Sequence, residues 1–166
     1  MDTNSPFSDV MLENEKFSET YRFADLKGRA RRGLAVLTCM DSRIDPLRML
    51  GLAPGDAKIL RNAGARVTDD VLRTLVLASY LLGVKRVMVV PHTDCRMTVD
   101  NEENVHLAIS TAGGPDTRSL SFMTTRDIRE SLAHDVQRIR SSPYLNDLSV
   151  GGFIYHIDSG RLEQTE

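Results

Sequence analysis

Two stretches of the chain begin as apolar runs and end in polar side chains: LAVLTCMDSR at residues 34–43 and RVMVVPHTDC at residues 86–95. Their first parts, 34–38 and 86–90, are apolar and β-branched without a regular alternation of polar residues. Continuous runs of this kind are typical of parallel strands that are covered on both faces. We therefore predict that these two segments are buried strands of a parallel sheet.

Weaker patterns predict further elements around this pair. They are strands at 57–61 and 152–157, an N-terminal helix within 8–24, helices from 68 to 83 and from 124 or 125 to 142, and a loop at 110–121. Strands that alternate with helices indicate an α/β fold with a mainly parallel central sheet flanked by helices. We predict a single domain over residues 1–166, in which 1–30 form an N-terminal helical arm and linker. The arm is expected to dock on a partner subunit.

Composition and charge argue against several classes of protein. The chain is 41% hydrophobic and 27% charged, with a formal net charge of −2, and nucleic-acid-binding proteins are usually strongly basic. No apolar run approaches the roughly 20 residues that cross a bilayer. The first 17 residues are acidic and polar, unlike a signal peptide. We predict no nucleic-acid partner, no membrane partner and a cytoplasmic location.

The chain's two cysteines follow the two central strands. Cys39 and Cys95 lie at the predicted carboxyl ends, together with His92. Ligands of open α/β sheets bind at this edge. His92 and Cys95 are close enough in sequence to turn toward one point, and Cys39 can complete the set from the neighbouring strand. Two thiolates and an imidazole suit Zn²⁺, with the fourth tetrahedral position left for water, substrate or a carboxylate.

A packing role for the cysteines is the alternative interpretation. A buried cysteine is commonly an inert, small hydrophobic residue, and a His-x-x-Cys pair alone leaves metal binding and packing equally open. Asp41 and Arg43 favour the metal, because charged residues directly after a buried strand suit a metal site. A redox role is weaker, since Cys39 and Cys95 form no C-x-x-C pair.

Three motifs resemble the β-class carbonic anhydrases in order and spacing: CMDSR at 39–43, RNAG at 61–64 and HTDC at 92–95. The resemblance is strong from about residue 32 to residue 95 and looser beyond, and it favours the short prokaryotic type. It implies an antiparallel edge strand on the sheet and a homodimer or higher homo-oligomer. It also implies zinc-dependent, reversible hydration of carbon dioxide to bicarbonate and a proton by attack of zinc-bound hydroxide, with CO₂ and bicarbonate as the small-molecule partners.

The same resemblance implies roles for individual residues. Cys39, His92 and Cys95 are expected to bind one catalytic Zn²⁺ per chain, with Asp41 and Arg43 as a hydrogen-bonded catalytic pair. Some family members have a closed resting form in which the aspartate ligates zinc, so Asp41 is also a candidate fourth ligand. We expect alkaline pH to favour the open, active form.

The chain departs from the family pattern at two positions. Arg96 and Pro91 stand where family members usually or often have glycine, and Arg96 is expected either to point to solvent or to meet anions near the zinc. The substrate pocket is expected to be apolar and to include Gly64, Ala65, Val67 and Arg96. Two alternatives to CO₂ hydration stay open: hydrolysis of COS or CS₂ on the same scaffold, and a zinc-binding paralogue silenced in catalysis.

Overall fold

The computed structural model describes residues 5–99 and 101–166. Its elements in chain order are α1 (Ser8–Glu19), β1 (Leu34–Cys39), α2 (Pro46–Met49), β2 (Ala57–Asn62), a 3₁₀ turn (Ala63–Ala65), α3 (Asp69–Leu81), β3 (Arg86–Val90), α4 (Glu103–Thr111), α5 (Ile128–Arg140), β4 (Ser149–Tyr155) and β5 (Leu162–Gln164). In the described part of the chain, none of the helices has the length and apolar character needed to cross a membrane.

The strands form one five-stranded sheet in the order β2-β1-β3-β4-β5. β1 pairs in parallel with β2 and β3, β3 pairs in parallel with β4, and β5 runs antiparallel to β4 at the edge. The predicted α/β fold with a mainly parallel sheet and an antiparallel edge strand is confirmed. Because β1 and β3 are parallel neighbours, the residues that follow them meet at one edge of the sheet.

The two faces of the sheet are covered unequally. Ala35, Leu37 and Val89 face the main core, which is completed by side chains of α3 and α5 such as Leu75, Leu132, Val136 and Ile139. On the other face, the fully buried set comprises Leu34, Val36 and Val90, surrounded by apolar residues that remain partly exposed. Side chains alternate along β1 between the two faces, and all six residues of this strand are buried.

The helix ends follow local capping. Thr68, at the predicted start of α3, caps this helix by accepting a hydrogen bond from the Val71 N–H at 3.3 Å. The start predicted for α5 at 124 or 125 is wrong, because Thr125 pairs with Thr98 in an isolated bridge. Asp127 caps the helix instead, accepting from the Arg129 N–H at 2.8 Å.

Three other boundaries differ from the sequence prediction. α1 ends at Glu19, before the predicted residue 24, and its last turn closes with a Thr20 N–H to Phe17 carbonyl bond of 3.1 Å. α4 includes residues 110 and 111, so the predicted loop begins only after them. The C-terminal strand β4 begins at Ser149, earlier than predicted, because its first residues pair with the start of β3.

Candidate metal centre

The adjacent ends of β1 and β3 bring three metal-ligating side chains together. Cys39 is the last residue of β1, and His92 lies two residues beyond the end of β3. The sulfur atoms of Cys39 and Cys95 lie 3.9 Å apart. With a His92 ring nitrogen, they form a cluster whose ligand atoms all lie within 4.8 Å of one another. Asp41 does not belong to this cluster among the described residues.

His92 is oriented for metal binding by its backbone neighbour. Its ring is 1% exposed, and its Nδ1 lies 2.8 Å from the carbonyl oxygen of Thr93. A carbonyl only accepts, so Nδ1 carries the proton and Nε2 carries a free lone pair. Nε2 is buried without a hydrogen-bond partner. A buried polar atom without a partner is costly in a folded protein, and a bound cation would satisfy this one.

These three side chains fit Zn²⁺. Thiolates that bind one tetrahedral Zn²⁺ at about 2.3 Å lie about 3.8 Å apart, close to the observed 3.9 Å between the two sulfurs. Soft thiolates combined with an imidazole favour zinc over magnesium or calcium, which prefer oxygen ligands. A set of three protein ligands is typical of catalytic zinc sites, where the fourth position stays open to water or substrate.

The electrostatics of the cluster favour one thiolate even without a cation. The interaction with Cys95 lowers the pKa of Cys39, and burial opposes it. The nearby His92 ring and the hydrogen bond from the backbone of Gly64 lower this pKa further. The same Cys39–Cys95 interaction raises the pKa of Cys95, and burial raises it further. Burial lowers the pKa of His92, but the neighbouring Cys39 sulfur and the bond to the Thr93 carbonyl raise it by more, so the pKa of His92 lies above its usual value. A divalent cation would displace the remaining protons.

Asp41 and Arg43 form a two-point pair beside the cluster. The Arg43 guanidinium donates to Asp41 Oδ1 at 3.0 Å and to Oδ2 at 2.8 Å, and the Arg43 backbone N–H donates to Oδ1 at 2.9 Å. These bonds hold the pKa of Asp41 well below its usual range. Asp41 Oδ2 lies 3.8 Å from His92 Nε2. A carboxylate that is ionised at neutral pH therefore lies beside the nitrogen that faces the cluster.

Arg43 also joins the two loops of the site. It donates to the Asp94 side chain at 2.8 Å and to the Asp94 carbonyl oxygen at 3.1 Å. Asp94 has φ +55°, a left-handed conformation that Asp tolerates better than most residues. In sequence, Asp94 lies between the two ligand candidates His92 and Cys95. The structure places it on Arg43.

Arg61 and Gly64 support the end of β1 from the neighbouring strand. Arg61 donates to the carbonyl oxygens of Cys39 at 2.9 Å and of Asp41 at 2.7 Å. The Gly64 N–H donates to the Cys39 sulfur at 3.4 Å. The RNAG motif contributed to the family resemblance, but these contacts were not foreseen, because they depend on the parallel register of β1 and β2.

An open cavity of about 580 Å³ lies over the site. Its lining comprises Cys39, Met40, Asp41, Ser42, Arg43, Ala63, Cys95, Arg96 and Met97. Of the four predicted pocket residues, the structure places Arg96 in this lining. Gly64 borders a narrow cavity behind it with His92 and Cys95, whereas Ala65 and Val67 are buried in the main core.

The two departures from the family pattern fit the backbone. Arg96 is exposed and is absent from the described non-glycine residues with positive φ, so its side chain causes no left-handed strain there. Pro91 is buried, and its carbonyl oxygen accepts a 2.9 Å bond from the Tyr155 N–H. Proline keeps the acceptor that this contact uses.

Comparison with known proteins gives a consistent result. A sequence profile described as carbonic anhydrase matches residues 34–112. The chain is 36% identical over 135 residues to Beta-carbonic anhydrase 1 of Mycobacterium tuberculosis, covering 79% of this chain and 80% of that protein. A carbon disulfide hydrolase of Acidianus sp. is 32% identical over 171 residues, covering 88% of this chain and 84% of the relative.

Among solved structures, a carbonic anhydrase from Streptococcus mutans aligns with a TM-score of 0.90 and 35% sequence identity. The alignment covers 98% of both chains. The similarity therefore includes the whole sheet and the loops that carry Cys39, His92 and Cys95. This chain belongs to the β-carbonic anhydrase family.

Proposed function

We propose that this chain hydrates carbon dioxide reversibly to bicarbonate and a proton, using one Zn²⁺ per chain held by Cys39, His92 and Cys95. The observation that carries the proposal is the buried, unpartnered Nε2 of His92 in one cluster with two sulfurs 3.9 Å apart. Bound Zn²⁺ supplies a Lewis acid that lowers the pKa of a coordinated water toward neutrality. Zinc has this effect on the bound water of carbonic anhydrases.

Asp41 is proposed to orient the attacking water. Its Oδ2 lies 3.8 Å from His92 Nε2. The bonds from Arg43 lower the pKa of the Asp41 carboxyl group and keep it ionised. An ionised carboxylate accepts a hydrogen bond from the O–H of that water, which turns an oxygen lone pair toward CO₂. Arg43 keeps the carboxylate in place because its planar fork holds both oxygens.

A resting form in which Asp41 ligates the metal requires a different arrangement of this pair. Asp41 Oδ1 accepts two bonds from Arg43 and Oδ2 accepts one, so a ligating Oδ2 would have to be shared between Arg43 and the metal. In the present arrangement Asp41 lies outside the cluster of Cys39, His92 and Cys95 among the described residues, which supports the open form. We expect activity to rise from neutral to alkaline pH, and a flat profile of CO₂ hydration would contradict this expectation.

Hydrolysis of CS₂ is the second candidate, favoured by the lining of the cavity. Met40, Ala63 and Met97 give it an apolar side, which suits a neutral molecule without hydrogen-bonding groups. Sequence identity does not separate the two activities, because relatives named Carbon disulfide hydrolase are 32% identical over 171 residues and 44% identical over 91 residues, and Beta-carbonic anhydrase 1 is 36% identical over 135 residues. Sulfide release from CS₂ or COS, measured against CO₂ hydration on the same preparation, separates the two activities.

The test of the proposal is stopped-flow CO₂ hydration by protein with a measured zinc content. We expect turnover when zinc approaches one per chain, and loss of turnover in Cys39→Ser. Full zinc content without hydration at neutral and alkaline pH would contradict the proposal. Sulfide release would then favour CS₂ or COS hydrolysis, and no turnover of any substrate would favour a silenced zinc protein.

We also propose that the protein is a homodimer or a larger homo-oligomer. No residue of α1 is buried, although this helix carries several large apolar side chains. The exposed ones between residues 7 and 17 are Phe7, Val10, Met11, Leu12 and Phe17. Exposed apolar side chains on a helix that covers no core are typical of a subunit contact. We assign the described part of the predicted arm, residues 5–30, to a segment that docks on a second copy.

The oligomer is tested by a matched pair of substitutions in α1. Phe17→Glu places a charge on the apolar side of the helix, where Phe17 is 52% exposed. Lys16→Glu, the control, introduces the same side chain at the adjacent polar position. We expect light scattering to show a smaller mass for Phe17→Glu alone, and a monomeric unmodified protein would contradict the proposal. A cytoplasmic location stays a prediction from the sequence.

A further inference from the structure

Behind the metal cluster, Arg66 and Asp135 form a buried ion pair between the segment after β2 and helix α5. Arg66 Nε donates to Asp135 Oδ2 at 2.6 Å, and the two side chains are 12% and 2% exposed. The guanidinium also donates to the carbonyl oxygen of Met123. Arg66 lines the narrow cavity that His92 and Cys95 border. The pair therefore joins three parts of the chain at the rear of the site.

Arg66 immediately follows the turn that contacts the Cys39 sulfur. Asn62 clamps this turn by accepting from the Arg66 N–H at 2.8 Å and by donating to the Arg66 carbonyl oxygen at 2.7 Å. Between them lies Gly64, with φ +77°, whose N–H points at Cys39 Sγ over 3.4 Å. A side chain at Gly64 would meet Met97 at 3.2 Å. The turn that carries this N–H is therefore held at its Arg66 end twice, by Asn62 through the backbone and by Asp135 through the side chain.

We propose that Arg66, fixed by Asp135, is a positioning residue that aims the Gly64 N–H at the Cys39 sulfur and so moderates the charge that this thiolate gives to the metal. The inference rests on the proposed zinc site. Two thiolates neutralise the charge of Zn²⁺, which makes a coordinated water less acidic than three imidazoles do. A hydrogen bond to one thiolate withdraws part of that charge, and such outer contacts tune the metal.

The experiment compares Arg66→Lys with Arg138→Lys. Arg138 lies on α5, the helix that carries Asp135. It also binds the segment after the turn, donating to the carbonyl oxygen of Val67 and to Asp69, both at 2.5 Å. Within the described residues, Arg138 forms no hydrogen bond with the turn at 63–65, so Arg138→Lys controls for the loss of an anchor between helix and core. Lysine keeps the positive charge in both variants but loses the planar fork.

Two measurements report on the thiolate independently of turnover. We expect Arg66→Lys to weaken zinc binding about tenfold in competition with a chromophoric chelator, because the turn no longer holds the Cys39 sulfur firmly in place. In the Co²⁺-substituted protein, we expect the sulfur-to-cobalt charge-transfer band to move to longer wavelength, because a thiolate that loses a hydrogen bond holds its electrons less tightly. Arg138→Lys is expected to leave both the affinity and the band unchanged.

An unchanged band and affinity in Arg66→Lys would overturn the inference, and so would equal changes in both variants. If Arg66→Lys does not fold, Asp135→Glu, which keeps the charge but lengthens the side chain, carries the same test with the same expected shift of the band. The outcome is separable from that of the proposed function. Zinc-loaded protein without CO₂ hydration would refute the activity, whereas a normal band in folded Arg66→Lys would refute only the positioning role.

Discussion

The inner and outer sides of the metal cluster differ in how firmly their residues are held. On the inner side, His92 is 1% exposed, and Gly64 and Arg66 lie in hydrogen-bonded contacts within the fold. On the outer side, Met40 is 67% exposed and the Asp94 side chain is 79% exposed. The inner side fixes the ligand positions, whereas the outer side leaves an open approach for a small neutral molecule. We therefore expect substitutions on the buried inner side to lower zinc binding and activity more than substitutions on the exposed outer side.

The largest effect is expected from an inner ligand. In Cys39→Ser the thiolate is replaced by a neutral hydroxyl, which is a poor zinc ligand. We expect loss of zinc and a fall in CO₂ hydration beyond the roughly 10- to 100-fold that losing an outer-shell contact costs. Metal analysis and stopped-flow assays check this, with Met40→Leu as the control at the next residue. Normal zinc content and rate in Cys39→Ser would remove Cys39 from the ligand set.

A smaller but clear effect is expected at Asp41, between the two sides. Asp41→Asn keeps the shape but removes the charge and one of the acceptors that hold Arg43. We expect kcat for CO₂ hydration to fall about 10- to 100-fold, with zinc content unchanged. The assay is steady-state hydration at saturating CO₂ on zinc-quantified protein. A rate within twofold of the unmodified protein would show that Asp41 does not orient the attacking water.

The ligand residues could be predicted from the sequence, whereas the contacts that support them could not. The strands that lead to Cys39 and His92 are mostly buried apolar runs, and parallel pairing brings their carboxyl ends together without further information. The ligand cluster could therefore be predicted. The bonds from Gly64 to Cys39 and from Arg66 to Asp135 could not, because they depend on strand register and on residues 69 positions apart.

The pocket shows the same limit. Ala65 and Val67 lie close to the RNAG motif in sequence, but the chain turns them into the core, while Met97 reaches the cavity from the other loop. Side-chain direction after a 3₁₀ turn has no simple sequence period. The start of α5 was misplaced for a related reason, since the bridge between Thr98 and Thr125 overrides a local helix signal.

Asp94 supplies a matched test at the outer side, because it holds the same arginine as Asp41. Asp94→Asn is compatible with φ +55° at this position, since Asn also tolerates the left-handed region. An exposed ion pair contributes at most about 1 kcal/mol, so we expect kcat to fall less than about fivefold. The falls in kcat for Asp41→Asn and Asp94→Asn, measured in one assay series, are compared to show whether the residue nearer the cluster contributes more. Equal effects would contradict the distinction between the sides.

The smallest effect is expected at Arg96, where the family pattern has glycine. Its side chain is exposed, and the backbone does not have a positive φ there, so glycine has no conformational advantage. Arg96→Gly should change CO₂ hydration by less than about twofold and leave the affinity for bicarbonate unchanged, since an exposed guanidinium in water attracts anions only weakly. Stopped-flow hydration and bicarbonate dehydration measure both, with Arg96→Lys as the charge-retaining control. A change of bicarbonate affinity in Arg96→Gly that is absent in Arg96→Lys would mean that the cation acts on the anion in the cavity, and the outer side would then contribute to substrate binding as well as to access.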